Sequence, residues 1–183
     1  MIQSGNLTLQ SYIKVYDDVF SPKECKELIG AFKEGEQEFI SEDKRPQFYQ
    51  VTLDEMKSRE IVAKLTDKIN EYADSIPVLD YMFPAKYSYE MVRIKRYRHD
   101  HDDQFKDHVD VNDCESAKRF LSFILYLNDV EEGGETYFTG IGKYVVPKRG
   151  RLLIFPPLWM FPHRGNKTIS NTKYILSTYL HYV

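Results

Sequence analysis

Apolar residues recur at helical spacing through Cys25, Leu28, Ile29 and Phe32, and again through Ile61, Val62, Leu65, Ile69, Tyr72, Ala73 and Ile76. This spacing predicts two amphipathic helices, each with one face to bury against a sheet. The first opens at Ser21-Pro22-Lys23-Glu24, where a capping serine, a proline at the first helical position and a glutamate three residues on form a capping box. It closes at Gly35. Residues 34–45 are polar and charged and predict a solvated loop. From Tyr87 the period shortens to two: Tyr87, Tyr89 and Met91 share one face, and Val92, Ile94 and Tyr97 the other. Residues 120–127 are apolar on both faces, the pattern of a central buried strand. Short runs at 135–138, 144–146, 152–155 and 173–179 follow, separated by Gly133-Gly134, Pro147 to Gly150 and Pro156-Pro157. Many short strands with glycine and proline punctuation predict a sandwich or jelly roll, mainly β with N-terminal helices that buttress it.

Length and composition narrow this picture. The 183 residues, 42% hydrophobic and 29% charged, suffice for one domain with a full core. We therefore expect a single domain over 1–183, with a helical part at about 1–80 and a jelly-roll core at about 85–183. Fourteen tyrosines, eleven phenylalanines and one tryptophan favour strands, where flat rings pack across a pleated surface. A net charge of −3 gives no field for nonspecific nucleic-acid or membrane binding. No apolar run reaches the ~20 residues that span a bilayer. Met1-Ile2-Gln3-Ser4-Gly5 lacks the start of a signal peptide, and two cysteines, Cys25 and Cys114, make no disulfide framework. The expectation is a reduced, cytoplasmic location.

The candidate chemistry lies among five histidines. His108 precedes Asp110 by two positions, so an extended segment over 105–111 places imidazole and carboxylate on one face. His163, after Phe161-Pro162 at the end of a strand, is a candidate third ligand. Two histidines and one carboxylate on one face of a metal leave positions open, the arrangement of non-haem Fe(II) oxygenases. The same His-x-Asp spacing recurs at His101 and Asp103, but that run, His99-Asp100-His101-Asp102-Asp103, has no apolar side chain to seat it in a sheet and suits a loop over the site. Lys173 falls in the apolar run of Tyr174, Ile175, Leu176 and Tyr179. Facing inwards it needs an anion; facing outwards on an edge strand it needs none.

In order along the chain, Val19-Phe20-Ser21-Pro22-Lys23-Glu24-Cys25, Tyr97, His108-Val109-Asp110, Arg119, Leu125-Tyr126-Leu127-Asn128, Gly133-Gly134-Glu135-Thr136, Val146-Pro147 with Gly150, Leu153-Ile154-Phe155, Pro162-His163 and Lys173 resemble the Fe(II) and 2-oxoglutarate dependent dioxygenases, in their prolyl 4-hydroxylase-like branch. The resemblance covers most of the chain and is closest to short microbial and viral members. It implies a double-stranded β-helix with the metal at its mouth, His108, Asp110 and His163 as iron ligands, and Lys173 paired with the far carboxylate of 2-oxoglutarate. It further implies that Tyr126 shares that carboxylate, that Tyr97 and Ser177 lie beside the cosubstrate, and that Arg119 lies near the substrate entrance; Trp159, shortly before His163, is a candidate substrate-facing residue or part of the wall of the site. The implied reaction takes Fe(II), 2-oxoglutarate and O2, with ascorbate in support, and hydroxylates an unactivated C–H bond with release of succinate and CO2. The implied substrate is a peptidyl proline. Another amino-acid side chain, a small metabolite, a non-catalytic jelly-roll binding module and a cupin-like enzyme without 2-oxoglutarate remain as alternatives. Two departures stand out: the glycine usually found soon after the family tyrosine is replaced by the charged run after Tyr97, and Arg164-Gly165-Asn166-Lys167 lacks the cysteine-proline pair of collagen-type enzymes.

Overall fold

A computed structural model describes residues 8–41, 46–76 and 80–183; the start of the chain and residues 42–45 of the expected loop lie outside them. The first helix, α1 (Pro22–Glu34), has both halves of the capping box in place, with Ser21 Oγ accepting from the Glu24 amide and the Ser21 amide donating to Glu24 at 2.9 Å. The second, α2 (Glu55–Ser75), begins a turn and a half before its first buried apolar residue, Ile61, because Asp54 caps it by accepting from the Lys57 amide. None of the helices described is long and apolar enough to cross a membrane.

The strands are β1 (Lys14–Tyr16), β2 (Glu38–Ser41), β3 (Pro46–Thr52), β4 (Tyr87–Tyr89), β5 (Arg93–Tyr97), β6 (Gln104–His108), β7 (Arg119–Tyr126), β8 (Thr136–Phe138), β9 (Lys143–Val145), β10 (Leu152–Phe155), β11 (His163–Gly165) and β12 (Lys173–Tyr182). Two differences from the sequence expectation matter. The stretch expected to be loop contains β2, which pairs with β3 as an antiparallel ribbon; three of its four residues are exposed, so no buried apolar alternation marks it as a strand. The segment over 105–111 is not extended throughout, since β6 stops at His108 and the chain bends at Asp110.

The strand pairings are antiparallel and run β1-β10-β7-β12-β5-β3-β6-β11-β8-β9. This jelly-roll-like half-barrel folds over so that β6, β11, β8 and β9 face the longer β1-to-β3 sheet. β12 is its spine, bonded to β7, β5 and β4. Side-chain alternation then builds two cores. Leu121, Phe123 and Leu125 of β7, Leu152 and Ile154 of β10, and Leu176 and Leu180 of β12 pack against Cys25 and Phe32 of α1 and Ile61, Leu65, Ile69 and Tyr72 of α2. The intervening residues, Tyr126, Leu153, Phe155 and Ile175, point the other way and meet Phe48, Tyr97, Phe138 and Phe161 inside the barrel; Tyr97 thus faces away from Val92 and Ile94, whose face the sequence expectation gave it, because odd and even positions of a strand alternate. The helices therefore cover one face of the sheet, and the other face is free to line a pocket.

Candidate functional site

Pairing of β6 with β11 sets His108 directly opposite His163, with ring centroids 4.3 Å apart. The bend after β6 then swings Asp110 between them. Asp110 Oδ1 lies 3.4 Å from His108 Nε2, and Oδ2 lies 3.7 Å from His163 Nε2. One ligand atom from each of the three falls within 4.8 Å of the others. The tautomers are fixed by what stands behind the rings. His108 Nδ1 is 2.7 Å from the Lys106 carbonyl and His163 Nδ1 is 3.1 Å from the Phe161 carbonyl. A carbonyl only accepts, so both Nδ1 atoms carry a proton and both Nε2 atoms face Asp110. That backbone support is the usual second layer of a metal-ligating histidine. Phe105 stacks on His108 at 3.5 Å with planes 7° apart, which holds the ring in place.

Burial by itself raises the Asp110 carboxyl, but His163, His108 and Lys95 outweigh it and hold the group well below the usual carboxylate range. Burial lowers the His163 imidazole, against the pull of Asp110. The site thus presents an ionised carboxylate and two imidazole nitrogens without sulfur. Three such donors on one side leave the remaining positions of a metal open, which suits an Fe(II) oxygenase centre and not a closed structural zinc site.

Behind the triad the pocket is lined by Tyr97 and Lys95 of β5, Ser122 and Ile124 of β7, Thr136 of β8, and Lys173, Ile175, Ser177 and Tyr179 of β12. Lys173 lies in a central strand and is 2% exposed, so the outward-facing reading fails. Its ammonium donates to the Gly134 carbonyl at 2.8 Å and sits 4.6 Å from the centroid of its cross-strand partner Tyr97. Burial pushes it down to about 8. Gly133-Gly134 is more than a hairpin: both residues have positive φ, and a Cβ on Gly134 reaches 3.3 Å from Val130 and 3.4 Å from Lys173, so the turn shapes the lysine's seat.

The remaining sequence candidates fall in different places. Ser177 lines the pocket beside Lys173. Tyr126 is fully buried behind that wall, its hydroxyl donating to Thr136 Oγ1 at 2.7 Å, so Thr136 presents the hydroxyl to the pocket. Arg119 does not stand free at an entrance: it makes a two-pronged pair with Glu90 at 2.6 and 3.0 Å, lies over Tyr179 and donates to the Asp110 carbonyl at 3.0 Å. It fixes the bend that carries Asp110. Trp159 is 75% exposed and not part of the pocket lining. His101 and Asp103 do not meet. Asp103 is fully buried and clamped by the Arg98 guanidinium at 2.8 and 3.0 Å, whereas His101 pairs with Asp100 on the surface. The charged run is thus pinned at its end by a buried ion pair, a seat that apolar patterning does not reveal. Lys95, Tyr179 and Ser122 escaped the sequence reading. Stepping by two from Tyr97 reaches Lys95, and from Lys173 reaches Tyr179, so strand alternation was the signal available for both.

Comparison with known proteins agrees with this geometry. The family model described as the 2OG-Fe(II) oxygenase superfamily matches residues 92–181, the span from the start of β5 almost to the end of β12. The chain is similar to the viral collagen prolyl hydroxylase of Paramecium bursaria Chlorella virus-1 in its 2OG complex, at 27% identity and a TM-score of 0.75 over 94% of this chain and 97% of that one. It is also similar in fold to a Pseudomonas putida prolyl-4-hydroxylase, at 16% identity and a TM-score of 0.69 over 93% of each chain. A Trichoplax adhaerens prolyl hydroxylase in complex with a hypoxia inducible factor peptide fragment shares the fold at 13% identity and a TM-score of 0.73, over 93% of this chain and 84% of that one. No curated protein sequence matches the chain.

Proposed function

Because this chain belongs to the 2OG-Fe(II) oxygenase superfamily, an enzyme family that uses Fe(II) and 2-oxoglutarate, we propose that it is a peptidyl prolyl hydroxylase. The observation that carries the oxygenase chemistry is a buried, unneutralised lysine in the same pocket as an open His-Asp-His triad. Bound Fe(II) and 2-oxoglutarate supply dioxygen activation, one oxygen atom passing to the substrate carbon and the other to succinate, with loss of CO2.

The chain's own residues hold and orient these groups. His108, Asp110 and His163 are the metal ligands. Lys173 receives the far carboxylate of 2-oxoglutarate, with the Thr136 hydroxyl backed by Tyr126 and the hydroxyls of Tyr97 and Ser177 around it, since a buried carboxylate needs a cation and further donors. Arg119 is a positioning residue that keeps Asp110 turned to the metal. The prolyl substrate is supported by the 27%-identical viral relative, whose printed name is collagen prolyl hydroxylase. A second reading, another amino-acid side chain or a small metabolite, is supported by the Arg98–Asp103 clamp, which gives the loop beside the site a charged, anchored form in place of a glycine turn.

The test is succinate formation from 2-oxoglutarate by purified protein with Fe(II), ascorbate and oxygen, with and without proline-containing peptides. We expect peptide-stimulated succinate together with a peptide mass gain of one oxygen. Succinate indifferent to every peptide moves the substrate to the second reading, and no succinate despite bound iron overturns the enzyme.

A further inference from the structure

The pocket contains a second cation besides Lys173. Lys95 stands two residues before Tyr97 on β5, opposite Ile175 of β12, one side-chain row along from the Tyr97–Lys173 pair. Its ammonium lies 5.0 Å from the centroid of the Phe48 ring. Among the described residues it forms no ion pair, and the acid whose field it feels is Asp110, whereas the acid felt by Lys173 is Glu135. The two lysines of this one pocket therefore sit in the fields of different acids, Lys95 in that of the metal ligand Asp110.

Charge balance shows what Lys95 lacks. The lining carries two lysines and one carboxylate, Asp110. Fe(II) adds two positive charges and 2-oxoglutarate two negative ones, which leaves the lining itself one positive charge in excess; Glu135, outside the lining, acts on Lys173 and not on Lys95. Such a charge is costly unless an anion joins it. Asp110 offsets Lys95 only in part, because the metal shares its single charge. A strand that needed only to close the barrel at this point has no use for an ammonium, and an aliphatic side chain packs there without that cost.

Resting on the oxygenase reading, we infer that Lys95 is a specificity-determining residue that receives a carboxylate carried by the substrate close to the carbon being hydroxylated, so that an anionic substrate is selected over its neutral analogue. For a peptide, the anion is an acidic side chain next to the target residue or a terminal carboxylate. For a small molecule, it is the acid group itself.

The test measures binding, not turnover. The full-length protein is loaded anaerobically with Fe(II) and 2-oxoglutarate and titrated calorimetrically with two acid and amide pairs: acetyl-Glu-Pro-Gly-amide against acetyl-Gln-Pro-Gly-amide, and L-proline against L-prolinamide. We expect the acid of at least one pair to bind at least tenfold tighter, the preference to vanish in Lys95→Met and to return in Lys95→Arg, and 2-oxoglutarate affinity to change less than threefold in both. Equal binding of acid and amide by the unaltered protein, or a preference that survives Lys95→Met, overturns the inference. So does a Lys95→Met variant that loses 2-oxoglutarate as strongly as Lys173→Met does, since Lys95 then serves the cosubstrate's near carboxylate. If the unaltered protein binds no 2-oxoglutarate at all, the reading underneath falls, a result distinct from all of these.

Discussion

Both imidazoles at the site turn Nε2 towards Asp110 because backbone carbonyls of Lys106 and Phe161 hold their other nitrogens. His108→Ala should therefore abolish stoichiometric metal binding, while His101→Ala, on the surface beside Asp100, should leave it within twofold; metal content after desalting measures both. Lys173→Met should weaken 2-oxoglutarate at least tenfold, the loss of a charge-assisted contact, and leave metal affinity unchanged. The same lysine gives a pH signature. Burial lowers it from 10.5 to about 8, so between these values the unfolded chain holds a proton that the folded chain has released. Where the unfolded state binds more protons, stability rises with pH. Below pH 8 both states are protonated and the full burial cost stands. Relative to Lys173→Met, the ligand-free protein should thus gain about 3 kcal/mol between pH 8 and pH 10.5, read as the difference between their urea unfolding free energies. A difference that is flat across this window removes the buried-cation reading. With 2-oxoglutarate bound, its carboxylate restores the ammonium form, so affinity should fall as pH rises above 8.

Each element of the site owes its position to a feature some way from the chemistry. α1 exists where it does because Ser21 and Glu24 satisfy each other's backbone, and Ser21→Ala should cost about 1 kcal/mol in chemical denaturation with no change in metal affinity. β12 carries one row of side chains to each core: Leu176 and Leu180 face the helices, and Lys173, Ile175, Ser177 and Tyr179 face the pocket. Leu176 is fully buried, so Leu176→Ala should cost about 2–5 kcal/mol. A strand so central transmits that loosening to both sides, and the variant should also bind 2-oxoglutarate more weakly although the altered side chain points away from it. The bend after β6 is the other critical element. It replaces the alternation that a longer strand offers and is held by Arg119 on the Asp110 carbonyl.

In the whole molecule, the site draws on β5, β6, β7, β8, β11 and β12 together, so occupation of it should stabilise the entire fold. At a hundred times its dissociation constant, a ligand adds about 2.7 kcal/mol, worth about 5–10 °C in a chain of this size. Fe(II) with 2-oxoglutarate should raise the melting temperature by that order, and His108→Ala should lose the rise; an equal rise in both places binding elsewhere. What the sequence by itself determined was whatever depends on neighbours along the chain. The capping box and Gly35 marked α1, apolar periodicity marked α2, and a two-sided apolar run marked β7 as central. The short β10 and β12 runs with their glycine and proline breaks marked the jelly roll. The His-x-Asp spacing with a distant histidine and lysine marked the metal and cosubstrate residues. The tertiary structure decided which of these meet, because pairing across the sheet ignores distance along the chain. It set His108 against His163, turned Lys173 inwards, sent Tyr126 behind Thr136, clamped Asp103 on Arg98, and made a strand of residues 38–41. It also turned one lysine of a charged β5 into the pocket. Lys95 looks from its neighbours like any exposed strand lysine, and only the pairing of β5 between β12 and β3, with the triad in the same pocket, makes its charge a feature of the site.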